Sequence, residues 1–149
     1  MDVTVLCYIE DHDRYLMLYR NKKANDLNAG KYIGIGGHLE HGESPYDCLM
    51  REAYEETGLK LIDPCLRGII TYVIDDYDEC AFLYTCKNFA GELGACSEGE
   101  LVFVQKGEVA KLPLWPGDKL MFSLLEERND LFLLKLVYQT DELISATVQ

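Results

Sequence analysis

The sequence predicts an α/β domain built on a mixed β-sheet with helices packed against it. Short β-like runs lie on both sides of two helix-forming segments, and the connections between them are of hairpin length. No repeat, low-complexity tract or long linker divides the 149 residues, so a single domain over 1–149 is expected. With 48% apolar and 27% charged residues, the chain can enclose a sizeable core and is not of disordered composition.

In chain order, Val3 to Glu10 and Tyr15 to Arg20 are β-like runs flanking the polar turn Asp11-His12-Asp13-Arg14. Asn21 to Lys31 is polar and reads as a surface loop. It leads into Tyr32-Ile33-Gly34-Ile35-Gly36-Gly37, a short extended piece whose glycines permit close backbone approaches. Ser44-Pro45-Tyr46-Asp47 has the chemistry of a helix start: Ser as cap, Pro at the first helical position and an acid facing the positive helix end. Gly58 supplies the stop, and Cys48, Leu49, Ala53 and Thr57 form the stripe to be buried. Leu66 to Ile74 and Cys80 to Cys86 read as strands joined by the acidic Asp75-Asp76-Tyr77-Asp78, and Leu101 to Gln105 as another. Asp118 can cap a second helix to about Glu127, with Leu120, Met121, Leu124 and Leu125 on its apolar side, and Leu131 to Tyr138 is strand-like.

Lys and Arg together number 14 against 26 for Asp and Glu, a net charge of −12. That balance argues against a protein that grips long nucleic acid, which is held by basic patches displacing counterions. A small anion can still bind where a metal ion or a few placed cations overcome the field. No basic leader precedes an apolar run, and no apolar stretch approaches the roughly 18 residues of a membrane span, so a cytoplasmic chain without membrane contact is expected. The six cysteines, Cys7, Cys48, Cys65, Cys80, Cys86 and Cys96, form no C-x-x-C pair and several lie in apolar patterns. They read as buried reduced thiols.

The most informative segment runs from Gly37 to Leu59. On a helix from Ser44 to Thr57, Glu52, Glu55 and Glu56 stand at i, i+3 and i+4 and project from one face. Like charges so placed repel, and an oxygen-seeking divalent cation turns that repulsion into coordination. The spacing alone fits a solvated acidic face better, since such faces are common in acidic proteins. The wider segment matches the pattern G-x5-E-x7-R-E-U-x-E-E-x-G-U, U being apolar. Gly37, Glu43, Arg51, Glu52, Ala53, Glu55, Glu56, Gly58 and Leu59 fill its nine fixed positions over 23 residues. In this the chain resembles a Nudix hydrolase.

The resemblance implies a Nudix-type α/β/α sandwich with a central mixed sheet, its box (37–59) presenting glutamates to Mg²⁺, or Mn²⁺. By analogy the Gly36 carbonyl and the carboxylates of Glu52, Glu55 and Glu56 hold the metal, Arg51 steadies them, and Glu43 braces the box. The implied reaction is attack of water on a phosphorus of a nucleoside diphosphate linked to a further group. Glu52, Glu56 and an acid of the loop Cys96-Ser97-Glu98-Gly99-Glu100 are candidates for the catalytic base, and in that loop Glu98, ahead of Glu100, is a further candidate metal ligand. Beyond the box, the order of elements and Leu112-Pro113-Leu114-Trp115-Pro116-Gly117-Asp118 look like the MutT-type triphosphatases that remove oxidised purine nucleotides. There Trp115 matches the indole that covers the purine and Asp118 an acid that reads its edge. Two further polar readers are missing, since this chain has Gly117 and Ile33 where that branch has an acid and an asparagine. Arg20, at the end of the second strand, is a candidate phosphate contact, and a solvated surface arginine is the equal alternative. The expected ligand is a nucleotide, with 8-oxo-dGTP leading. ADP-ribose, a dinucleotide and a non-catalytic nucleotide-sensing module are the alternatives, and oligomeric state is left open.

Overall fold

The computed structural model describes all 149 residues. The chain begins with the hairpin β1 (Asp2–Asp11) and β2 (Arg14–Arg20), turning at His12, whose φ of 56° is left-handed. The glycine-rich entry forms β3 (Tyr32–Ile33) and β4 (Ile35–His38), followed by α1 (Pro45–Thr57). Next come β5 (Lys60–Ile62), β6 (Cys65–Ile74), β7 (Tyr77–Cys86), β8 (Asn88–Ala90) and β9 (Gly99–Gln105). A 3-10 helix at Lys106–Lys111 leads to α2 (Asp118–Glu127), β10 (Phe132–Gln139) and β11 (Glu142–Val148).

Nine strands form one mixed sheet in the order β11-β10-β6-β7-β1-β2-β3, with β4 paired to β1 and β9 to β2. The β1–β7 and β10–β6 pairs are parallel and the rest antiparallel. Period-2 alternation divides the apolar residues between two faces. Val5, Cys7, Ile9, Leu16 and Leu18 pack with Cys48, Leu49 and Ala53 of α1. Tyr8, Tyr15, Met17, Leu83 and Leu136 pack on the opposite side with Met121, Phe122 and Leu125 of α2. With both faces covered, the molecule is an α/β/α sandwich.

The divided strand β1 positions the site. Its C-terminal end pairs with β2 from Ile9 to Asp11, whereas Thr4 to Cys7 pair with β4. The loop before α1 therefore enters directly beside the middle of the sheet. A Cβ on Gly36 would overlap the Val5 carbonyl, so only glycine allows this approach. At α1, Ser44 Oγ accepts from Asp47 N (3.1 Å) while the Asp47 carboxylate accepts from Ser44 N (3.0 Å), a reciprocal capping box. Gly58 closes the helix at φ 78°.

The structure corrects several sequence expectations. The N-cap of α2 is Gly117 and no side chain caps it; Asp118 is instead the first helical residue, its side chain buried. All six cysteines are free, but Cys65 is exposed and Cys80 half-buried, because both lie on the outer parts of a hairpin rather than in the core. The pair β5–β8, the 3-10 helix and β11 carry no apolar alternation and are additions to the predicted elements.

Candidate active site

A cavity of about 730 Å³ opens where β1 parts from β2, between the N-terminal half of β1, β4, α1 and the Asn21–Lys31 loop. One end is lined by Glu52, Glu56, Glu98, Arg20 and Lys23. The other is lined by Trp115, Asp118 and the hydroxyl-bearing Tyr8, Tyr72 and Tyr138.

At the acidic end, Arg51 organises the carboxylates. Its Nε and Nη2 donate to the two oxygens of Glu43 (2.7 and 2.9 Å), its Nη1 to Glu52 Oε1 (2.8 Å) and Glu55 Oε2 (3.2 Å), and Nη2 to the His38 carbonyl (3.2 Å). The hydrogen bonds from Arg51, with the Glu40 amide helping, hold the Glu43 carboxyl down at about 2. Bidentate charge-assisted bonds of this kind fix direction as well as charge. Glu52 lies against the backbone of Gly37, where an added Cβ would stand 2.6 Å from Glu52 Oε1. Glu56 is raised far above the ordinary carboxylate range, by burial first, then by its hydrogen bond with Glu52 and the charges of Glu52 and Glu98.

The predicted one-face triplet is therefore divided. Glu52 and Glu56 abut inside the cavity, whereas Arg51, one turn back, draws Glu55 to an outward position that is 57% exposed. No three His, Cys, Asp or Glu side chains are gathered tightly enough to enclose an ion. The donor set nevertheless fits a hard divalent cation: two abutting carboxylates, with Glu98 on the same wall, are all-oxygen donors whose mutual repulsion a cation relieves. Glu98 lines the cavity and pairs with Arg20 (3.0 Å) and Lys23 (3.9 Å). Glu100 accepts from Asn21 Nδ2 (3.1 Å) on the exposed side and lies outside the cavity.

Arg20 is not a solvated surface arginine. It is 8% exposed, its Nε and Nη2 donate to both oxygens of Asp26 (2.7 and 3.0 Å), and its Nη1 reaches Glu98. With two carboxylates engaged, it is a clamp on the loop, and a phosphate contact has to compete with them. At the far end, Trp115 Nε1 donates to Asn28 Oδ1 (2.7 Å), the indole meets Tyr138 edge-on with centroids 5.6 Å apart, and Lys31 Nζ lies 4.4 Å from its ring centre. Asp118 is 5% exposed, and burial raises its carboxyl to about 7, the Trp115 backbone pulling the other way. Gly117 has no room for a side chain: a Cβ would lie 2.7 Å from both Tyr138 Oη and Leu136 Cδ1. Ile33 lines the cavity as an apolar residue.

Sequence reasoning missed Asn28 and the tyrosines. Tyr8, Tyr72 and Tyr138 converge only through sheet order, which sets β10 beside β6 with Leu136 opposite Tyr72 and Tyr138 opposite Ile74. Their individual strands carried no signal beyond alternation.

A sandwich with an Arg-bridged glutamate helix beside a cavity of this size has oxygen donors for a divalent cation and room for a ligand next to them. The chain belongs to the Nudix family: the NUDIX domain model matches residues 1–126. It is 30% identical over 118 residues to the uncharacterized Nudix hydrolase YvcI of Bacillus subtilis, covering 75% of this chain and 71% of that protein. It is 26% identical over 109 residues to the oxidized purine nucleoside triphosphate hydrolase of Mus musculus, covering 72% and 70%. The crystal structure of the mutator MutT protein from Bacillus halodurans superposes with a TM-score of 0.90 at 30% identity, covering 100% of this chain and 98% of that one. No helix is long and apolar enough to cross a membrane.

Proposed function

We propose that this Nudix hydrolase is a Mg²⁺-dependent pyrophosphohydrolase that converts a nucleoside triphosphate to the monophosphate and pyrophosphate, with an oxidised purine nucleotide such as 8-oxo-dGTP as substrate. The observation that carries this reading is one cavity with abutting glutamates at one end and an indole beside a buried acid at the other. A purine on Trp115 stacks by its face while Asp118 meets its edge, and a chain of phosphates extends toward Glu52 and Glu56. The mouse relative is named for oxidised purine triphosphates, which favours the same class.

Glu52, Glu56 and the Gly36 carbonyl would hold the metal, with Glu98 as a further ligand and Glu55 joining by exchanging Arg51 for it. Bound there, Mg²⁺ would neutralise the polyphosphate and make an attacking water more acidic. This chain's own groups do the rest. Arg51 keeps Glu52 aimed into the cavity, Glu52 or Glu56 accepts the water's proton, and Lys23 lies on the wall beside the phosphates. Arg20 holds the loop by Asp26 and so orients the Lys23 to Asn28 wall.

Pyrophosphate release, measured with 8-oxo-dGTP, dGTP, dATP and ADP-ribose at equal low concentration with and without Mg²⁺, ranks kcat/KM. A metal-dependent preference for 8-oxo-dGTP is expected. Two monophosphates from ADP-ribose as the dominant activity would sink the substrate assignment, and turnover of none of the four would leave a nucleotide-sensing module.

A further inference from the structure

We propose that the Tyr138 hydroxyl determines specificity at the base end of the cavity, donating a hydrogen bond that selects purines with a carbonyl oxygen on the ring edge over 6-aminopurines. The inference rests on the nucleotide reading above and narrows it.

Tyr138 stands at the end of β10 and is 3% exposed, yet it lines the cavity. Its oxygen accepts from the Gly117 backbone N–H at 2.8 Å. A phenol that accepts from a backbone amide keeps its own proton to donate, and Tyr138 makes no second hydrogen bond within the protein. The position is held firmly. The ring meets Trp115 at 77°, Leu136 lies on the same strand, and the space that a side chain at 117 would need is filled by the hydroxyl. The phenol and the indole share this end of the cavity, their ring centroids 5.6 Å apart. In the proposed pose, a ring stacked on Trp115 turns its carbonyl edge toward the hydroxyl.

The other groups at this end are Asp118, Tyr8, Tyr72, Asn28, Ile33 and Ile74. Asn28 Oδ1 is engaged by the indole N–H. A 6-oxopurine, guanine or hypoxanthine, brings an acceptor to Tyr138. Adenine brings an amine there, leaving two donors face to face in a buried place, and an unmet buried donor costs more than a hydrogen bond contributes. Sites built to satisfy one polar group reject the analogue that lacks it.

The chain has one tryptophan, so Trp115 fluorescence reports occupancy of this end directly. Inosine monophosphate and adenosine monophosphate are titrated into the wild-type protein and Tyr138→Phe, with the thermal midpoint of each recorded. Expected is a wild-type preference of about tenfold for inosine monophosphate that falls to near parity in Tyr138→Phe, inosine monophosphate binding more weakly and adenosine monophosphate no more weakly than to wild type. An equal loss for both ligands would mean a merely structural role for Tyr138, and a preference kept in the variant would assign it elsewhere; either overturns the proposal. Should Tyr138→Phe not fold, the ligand carries the test. The wild-type protein must bind inosine monophosphate more tightly than purine riboside monophosphate, which lacks the oxygen, and equal affinities overturn the inference. Nucleotide hydrolysis with no such preference removes this inference alone, whereas no quenching and no hydrolysis removes the nucleotide reading with it.

Discussion

Asp118 carries two sequence readings, a helix cap and an acid at the base end of the cavity, and the structure overturns the first. Its position before an apolar helix reads as a cap, yet the carboxyl is turned into the cavity and capping is left to the Gly117 backbone. Burial lifts it from 3.8 to about 7, so the folded chain holds a proton that the unfolded chain has released. Stability therefore falls as pH rises from about 4 to about 7 and is level above that, the penalty being at most about 4 kcal/mol. Asp118→Asn, which keeps the shape of the neutral acid, lacks this slope. Its stability relative to wild type, followed by denaturant unfolding between pH 4 and pH 8, rises across that window, and a constant difference would contradict the burial argument. Glu56 is a different case, because its neighbour Glu52 makes it a pair rather than a lone acid. Glu56→Gln is expected to lower kcat by about 10²–10⁴-fold. Its thermal midpoint is unchanged or higher, since one of two abutting acids is removed. A kcat within threefold of wild type would withdraw Glu56 from the site.

The helix α1 was readable from local chemistry at both ends and along its buried stripe, because capping, Pro placement and Gly termination act within a few residues. The strand β11 was not, since an edge strand exposed over most of its length has no buried face to impose alternation. The site divides the same way: Glu43, Arg51, Glu52 and Glu56 sit within one segment, whereas the tyrosine wall exists only after β10 has docked on β6. Two adjacent glycines at β4 separate fold from function within one element. Gly36→Ala drives a methyl into the Val5 backbone, which cannot yield without breaking the β1–β4 pairing, and is expected to cost about 2–3 kcal/mol. Gly37→Ala meets only the Glu52 carboxylate, the mobile end of a side chain. It is expected to retain its midpoint within a few degrees while losing more than about tenfold in kcat, as Glu52 is pushed from its place. Thermal melts and turnover measured on both variants check this, and matching losses of stability would show that the two glycines do the same work.

Across the whole molecule, a net charge of −12 opposes the approach of a polyanionic nucleotide, while the cations on the cavity wall are few. Arg20 is neutralised by Asp26 and Glu98, and Lys31 lies over Trp115, so Lys23 is the wall cation left nearest the acidic end. The repulsion is long in range and the attraction short, and salt separates them. The Debye length falls from about 30 Å at 0.01 M to about 8 Å at 0.15 M, which screens the distant surface acids but not a contact inside the cavity. With Mg²⁺ kept saturating at both ionic strengths, kcat/KM for the nucleotide is expected to rise severalfold over that range through a lower KM, with kcat nearly constant. Proteins that attract a charged ligand through their overall field show the reverse slope. A kcat/KM that falls with added salt would mean that Lys23, rather than the acidic surface, governs the encounter, and Lys23→Gln would then remove the dependence.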